Sequence, residues 1–231
     1  MSEGGFLDPG IPDGESCSYR GVVDGSELGS GVGVVFHTGE GRRSGYRQEL
    51  SINLEAGLRY EVAMEFMLRS GRLRAESYKI ESHDGKHPLA GEESNFADVK
   101  ALGFGGDVAR YPHNLTPLLG CGLALRGLEF EKNHEREISV LLASSFFWEV
   151  AVKVEREESV SVPAGDFKAW RVRVRPSFER LGGTIEAALA MVLPPVTLHF
   201  ECDAPHRLLM IDFPTGPFPD NPRGLIEATE L

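Results

Sequence analysis

Between Trp148 and Val162 the chain alternates. Even positions read Trp148, Val150, Val152, Val154, Arg156, Glu158, Val160 and Val162, and odd positions read Glu149, Ala151, Lys153, Glu155, Glu157, Ser159 and Ser161. A period of two sustained this long demands an extended strand with one dry and one wet face. Pro163-Ala164-Gly165-Asp166 supplies a turn, and Lys168 to Arg175 alternates again, with Trp170, Val172 and Val174 in one phase and Arg171, Arg173 and Arg175 in the other. Such a chain is built from long antiparallel hairpins.

Dry faces align across a pair only when paired residue numbers sum to an even number, because a one-residue slip turns one strand over. A three-residue loop at Ala164 to Asp166 meets that condition. It sets Val160 against Trp170, Glu157 against Arg173 and Glu155 against Arg175, which makes the arginine row a charge ladder on the wet face. Arg59 to Arg69 and Arg72 to Ser82 read as a second hairpin turned at Ser70-Gly71. A two-residue loop there opposes Arg69 to Arg72 and Glu65 to Glu76, all like charges. The expected loop is therefore three residues, bringing Lys79 to Glu61 and setting Ile80 against Val62.

The remaining elements follow from turn and cap signals. Residues 1–14 are Gly- and Pro-rich and read as a loose arm, leaving 15–231 as a single domain. Further strands are expected at Ser16–Val23, Val32–Thr38, Tyr46–Leu54, Asn95–Lys100, Ile138–Ser145, Val196–Cys202, Arg207–Phe213 and Leu225–Thr229, with a polar loop at His83–Glu93. Thr116-Pro117 is an N-cap followed by proline, opening a short helix over Leu118–Arg126 stopped by Gly127; a second short helix is expected at Glu186–Leu193. About ten strands and two brief helices, with no βαβ alternation, define a mainly β protein. A sheet this large curls. The expected form is a large antiparallel half-barrel open on one side, wrapped around the Thr116–Arg126 helix, with Glu186–Leu193 as a further plug.

Composition excludes some partners. With 35 acidic residues against 24 basic ones the net charge is −11, which disfavours nucleic acid and anionic lipid surfaces. Cys17, Cys121 and Cys202 are odd in number and far apart, so neither a disulfide framework nor a zinc spacing follows. No basic and apolar leader stands at the start, and Ala187–Leu198 is too short to span a bilayer, which takes about 20 residues. As written the chain reads as cytoplasmic; one trimmed of its leader would be periplasmic or exported.

Chemistry-bearing motifs are few. Gly29-Ser30-Gly31-Val32-Gly33 has a valine where a dinucleotide loop needs its third glycine, and it runs into a strand, so these glycines read as bending or narrowing that strand. His83-Asp84-Gly85-Lys86-His87 sits around a turn and reads as solvated rather than metal-binding, and no cofactor is implied. His113, His199 and His206 have no carboxylate partner visible in the sequence. The apolar candidates for a binding surface are Trp148, Trp170, Tyr60 and Phe66, which a concave sheet would present to a ligand.

The segment Val160-Ser161-Val162-Pro163-Ala164-Gly165-Asp166-Phe167-Lys168-Ala169-Trp170-Arg171-Val172 resembles the Val-Pro-Ala-Gly-x-Phe hairpin of a bacterial family of uncharacterised, often exported β-rich proteins, a domain of unknown function. Gly14-Glu15 before the first strand and Pro205-His206-Arg207-Leu208-Leu209 near the end echo the same family. The resemblance implies an open β-barrel closed around a helix, the shape used by periplasmic lipoprotein and lipid carriers, and brings no catalytic residues with it. The expected role is therefore non-enzymatic, the binding or carriage of a small apolar or amphipathic molecule. The alternatives are a scaffold joining a partner through a sheet edge or the Leu189–Leu193 surface, and an enzyme using His113 or His206.

Overall fold

A computed structural model describes residues 4–55, 57–96, 100–103, 108–143, 146–177, 194–216, 218 and 220–231. After a short β1 (Phe6–Leu7), five strands form a meander: β2 (Glu15–Val23), β3 (Ser26–Thr38), β4 (Gly45–Leu54), β5 (Leu58–Arg69) and β6 (Arg72–Asp84). Four further strands follow: β7 (His87–Asn95), β8 (Lys100–Gly103), β9 (Val108–Arg110) and β10 (Leu115–Pro117). The chain then enters a second meander of β11 (Glu135–Ala143), β12 (Phe146–Val162), β13 (Gly165–Pro176), β14 (Val196–Glu201), β15 (Leu208–Pro214) and β16 (Arg223–Glu230). β16 pairs antiparallel with β2, so the two meanders fuse into one sheet through the first and last long strands. Among the described residues two pairings are parallel, β10 with β11 and β8 with β12.

The sheet curls until its ends meet without a hydrogen-bonded ladder. β10 lies against β6, and Tyr78 of β6 packs on the cluster of Tyr111, Leu115, Leu141 and Phe147. The result is the open, mainly β barrel that the alternation implies.

Inside it lies the helical segment between β10 and β11: a 3-10 turn at Leu118–Gly120, one α turn at Cys121–Ala124, and a 3-10 turn at Leu125–Gly127. Thr116 does not cap it. Thr116 belongs to β10, and its hydroxyl donates to the Pro117 carbonyl at 3.2 Å. What holds this helix is packing. Leu123, Ala124 and Leu125 are fully buried in the main core, each leucine contributing roughly 1.5–3 kcal/mol. Gly120 and Gly127 are spacers that let it seat. A Cβ on Gly120 would stand 3.0 Å from both Met64 and Phe66 of β5, and one on Gly127 would collide with the Leu7 carbonyl. The expected second helix, Glu186–Leu193, lies outside the described residues.

The structure corrects three further expectations. The first concerns the N-terminal segment, which is no loose arm over its described part. Phe6 and Leu7 pair with β6, Phe6 and Ile11 are buried in the core, and Asp8 accepts from the Tyr46 hydroxyl at 2.6 Å. The second is the polar loop at His83–Glu93, which is instead a hairpin: β7 pairs with β6 around Gly85-Lys86, both its faces being largely exposed.

The third concerns register. The β12–β13 loop is tighter than expected, setting Val162 against Gly165, Val160 against Phe167 and Glu157 against Trp170. A bulge at Glu155 then restores an even sum where the core needs it, with Val154 opposite Val172 and Val152 opposite Val174. The bulge also reverses the phase of β12. Val150, Val152 and Val154 join the main core, whereas Val160 and Val162 join a separate cluster with Ala169, Leu209 and Ala228. The charge ladder survives in altered form, since Glu155 takes Arg171 at 3.1 Å and Arg173 at 2.8 Å. The β5–β6 hairpin repeats the device: Arg69 does face Arg72, a bulge at Glu76 follows, and Val62 meets Ile80 as expected. Lys79 faces Ala63 rather than Glu61, and Arg69 pairs with Glu76 at 2.7 Å.

Candidate functional site

The inward positions of β3 are Gly29, Gly31, Gly33 and Val35, since Val35 is a buried core residue and the strand alternates. Three successive inward positions therefore carry no side chain. On its β5 side the plug helix touches the sheet closely, through Gly120. Opposite the bare stripe of β3 it cannot, and a cavity of about 330 Å³ remains. That volume lies within the range of ligand pockets, ~300–1,000 Å³.

One wall is formed by β2, β3, β4, β15 and β16, the other by the helix with Leu118, Leu119 and Leu123. The mouth is marked by exposed leucines: Leu118 is 55% exposed, Leu28 46% and Leu54 37%. Exposed leucines set around one opening are an apolar rim rather than scattered surface residues.

The polar groups of the cavity are almost all matched. Arg126, 5% exposed, donates Nη2 to Glu15 Oε2 at 3.0 Å and Nε to the Pro205 carbonyl at 2.7 Å. Tyr19 donates its hydroxyl to the Leu208 carbonyl at 3.0 Å, and Arg20 pairs with Glu227 at 3.0 Å. Burial pushes the Cys121 thiol up to about 12, against a hydrogen bond with Thr116 that lowers it. Burial and the nearby Glu15 charge raise Cys17 as well, so both thiols present neutral, weakly polar surfaces. The exception is Gln48, 9% exposed, whose Oε1 is buried without a hydrogen-bond partner.

None of the four aromatic residues singled out by sequence lines this cavity; Phe66 belongs to the main core, and Trp148 and Trp170 pack against it. Phe66 is buried in the core against Gly120. Tyr60, half-buried, pairs across β4 with Ile52. Trp148 donates its indole N–H to the Ser177 carbonyl at 3.0 Å and stands edge-on to Phe146. Trp170 lies beside Phe130, with ring centroids 6.3 Å apart.

The histidines are placed as follows. His113 packs against Gly4. His206 has Nδ1 2.9 Å from the Glu201 carbonyl oxygen and its ring 4.3 Å from Phe130. Neither is bonded to a carboxylate among the described residues. His199, contrary to expectation, does have a partner: its Nε2 lies 2.8 Å from Glu158 Oε1. Among the described residues no group of three or more metal-ligating side chains occurs, and no helix is long and apolar enough to cross a membrane.

An open barrel with a helix in its bore and a leucine-rimmed cavity beside that helix is the class of molecule these observations define. Among solved structures the chain is similar to a β-barrel-like protein of the domain of unknown function DUF1849 from Brucella abortus. The two share 10% identity over 93% of this chain and 95% of that one, with a TM-score of 0.51, and so share a fold. Fainter similarity reaches a candidate lipoprotein from Parabacteroides distasonis, at 10% identity, TM-score 0.41 and coverage of 100% and 99%. It also reaches a candidate exported protein with a YmcC-like fold from Bacteroides fragilis, at 10% identity, TM-score 0.39 and coverage of 98% of each chain. No family model and no curated protein matches the sequence.

Proposed function

We propose that this protein binds and carries a small apolar or amphipathic molecule in the cavity between the plug helix and the β2–β3–β4 wall. The observation that carries the reading is the bare inner face of β3. Gly29, Gly31 and Gly33 leave open a volume that ordinary strand residues would fill, and the opening is rimmed by leucine rather than by charge. A folded protein gains nothing in stability from such a space, because glycine within a strand costs roughly 0.5–1 kcal/mol relative to alanine. An apolar occupant supplies the missing contacts.

Gly31→Val tests this reading. A Cβ at Gly31 makes only ordinary contacts, the nearest being the Ser51 carbonyl at 3.4 Å, so the substitution fills the cavity without straining β3. The wild-type protein should quench or enhance an apolar fluorescent probe at saturable, stoichiometric concentrations. Gly31→Val should bind the probe at least about tenfold more weakly, a loss of about 1.4 kcal/mol, with an unchanged or raised melting temperature. Equal binding by a folded Gly31→Val would place the probe elsewhere and overturn the assignment. Native mass spectrometry of protein purified without detergent gives the complementary readout, an adduct that leaves on denaturation.

A further inference from the structure

The glycine stripe of β3 is a groove with one filled end. Across it the register sets Tyr19 of β2 and Ile52 of β4 on either side of Gly31, and Cys17 and Leu50 on either side of Gly33. The missing row of side chains is one strand wide, about 4.8 Å, which admits a single alkyl chain and no fused ring system. At Gly31 the space is free: the nearest side-chain atom to a Cβ placed there is Ile52 Cγ1, at 3.6 Å. At Gly33 it is taken, since a Cβ would stand 2.8 Å from Leu50 Cδ2. Leu50 leans across the stripe and occupies the place that a side chain at Gly33 would fill.

Beyond Leu50 the lining changes character. The next positions inward are Glu15, Val35 and Gln48, opposite one another on β2, β3 and β4, and Glu15 holds Arg126. An alkyl tail pushed past Leu50 would lie against an amide and an ion pair, and these polar groups offer it nothing. In the other direction the groove runs to Gly29, which faces Leu54 at the open mouth. From Gly29 to Gly33 the strand advances roughly 13 Å. An extended alkyl chain, with C–C bonds of about 1.5 Å, advances about 1.3 Å per carbon, so about ten carbons reach from the mouth to Leu50.

We propose that the occupant is a single unbranched alkyl chain, inserted tail-first from the leucine mouth with its head group left in water, and that Leu50 sets its length. A chain of up to about ten carbons lies wholly on apolar lining. Its terminal methyl then meets Leu50, and any further methylenes stay outside the mouth. This inference rests on reading the cavity as a carrier site.

The test is displacement of the apolar fluorescent probe from the full chain by straight-chain carboxylates from hexanoate to hexadecanoate, each below its critical micelle concentration. For the wild type, affinity should rise about fourfold per added methylene as far as about decanoate and flatten beyond it. Leu50→Ala frees about three carbons' worth of space and should move the break about three methylenes longer, with the wild-type slope below it. Leu50→Val should move it by about one methylene, and decides if Leu50→Ala does not fold. Affinity that climbs unbroken to hexadecanoate, or a break that stays at the same length in the variants, overturns the inference and leaves the carrier reading intact. So does a probe that binds but is displaced by no carboxylate of the series. A probe that does not bind at all overturns the carrier reading and the inference with it.

Discussion

Glu158 and His199 form a contact that one strand alone cannot show. Burial by itself would raise the Glu158 carboxyl, but the hydrogen bond with His199 and the Arg156 charge outweigh it and hold the carboxyl below the ordinary carboxylate range. A carboxyl depressed in the folded state stabilises the fold fully above its unfolded pKa, and that contribution disappears as pH falls through the folded value. Stability measured by urea unfolding should therefore drop on acidification below the usual carboxylate value. Glu158→Gln should flatten that acid limb and cost roughly 1–3 kcal/mol at neutral pH, because His199 loses its charged partner. An acid limb identical in wild type and variant would rule the contact out as its source.

Arg126 closes the last turn of the plug helix and is buried on Glu15 of β2, so the ion pair ties the plug to the wall of the cavity. Arg126→Met should destabilise the protein by about 3–5 kcal/mol, since it leaves Glu15 buried and unpaired. Adding Glu15→Leu should recover most of that loss, and a double-mutant cycle in denaturant checks it. A double-variant cost equal to the sum of the two single-variant costs would mean that the charges do not couple.

The strands themselves were legible in the sequence because alternation records burial directly. The bulges at Glu155 and Glu76 were not, since a bulge reverses the phase of everything beyond it; the only trace in β12 is Arg156 and Glu158 standing in the apolar phase. The cavity was hidden for a related reason. Trp148 and Trp170 stand out in a sequence because they are large, and large residues fill space. A cavity is made of missing volume, and the glycines that leave it look like interruptions until the helix is seen to stand off from them.

At the scale of the molecule, two meanders meet along the pair of β2 with β16. The first half, β2 to β6, and the second, β11 to β16, are each built from neighbours in sequence, with β8 to β10 and the plug between them. Removing β16 should break the hydrogen-bonded seam and leave the two half-sheets held together only by side-chain packing around the plug helix and along β6 and β10. The truncated chain should lose its cooperative thermal transition and near-ultraviolet dichroism, and a synthetic peptide of residues 223–231 added in trans should restore both. A truncated chain that still melts cooperatively would show that the seam is dispensable.

That seam joins the first long strand of the sheet to the last. About 200 residues separate Val23 from Arg223, so at ~5–20 residues per second β2 waits on the order of 10–40 s for its partner. Hairpins within each half form in roughly microseconds. From the completion of β6 at Asp84 until β16 emerges, the nascent protein thus displays a finished meander with one open edge, and the hazard it faces on the ribosome is a stranger's strand taking the place of β16.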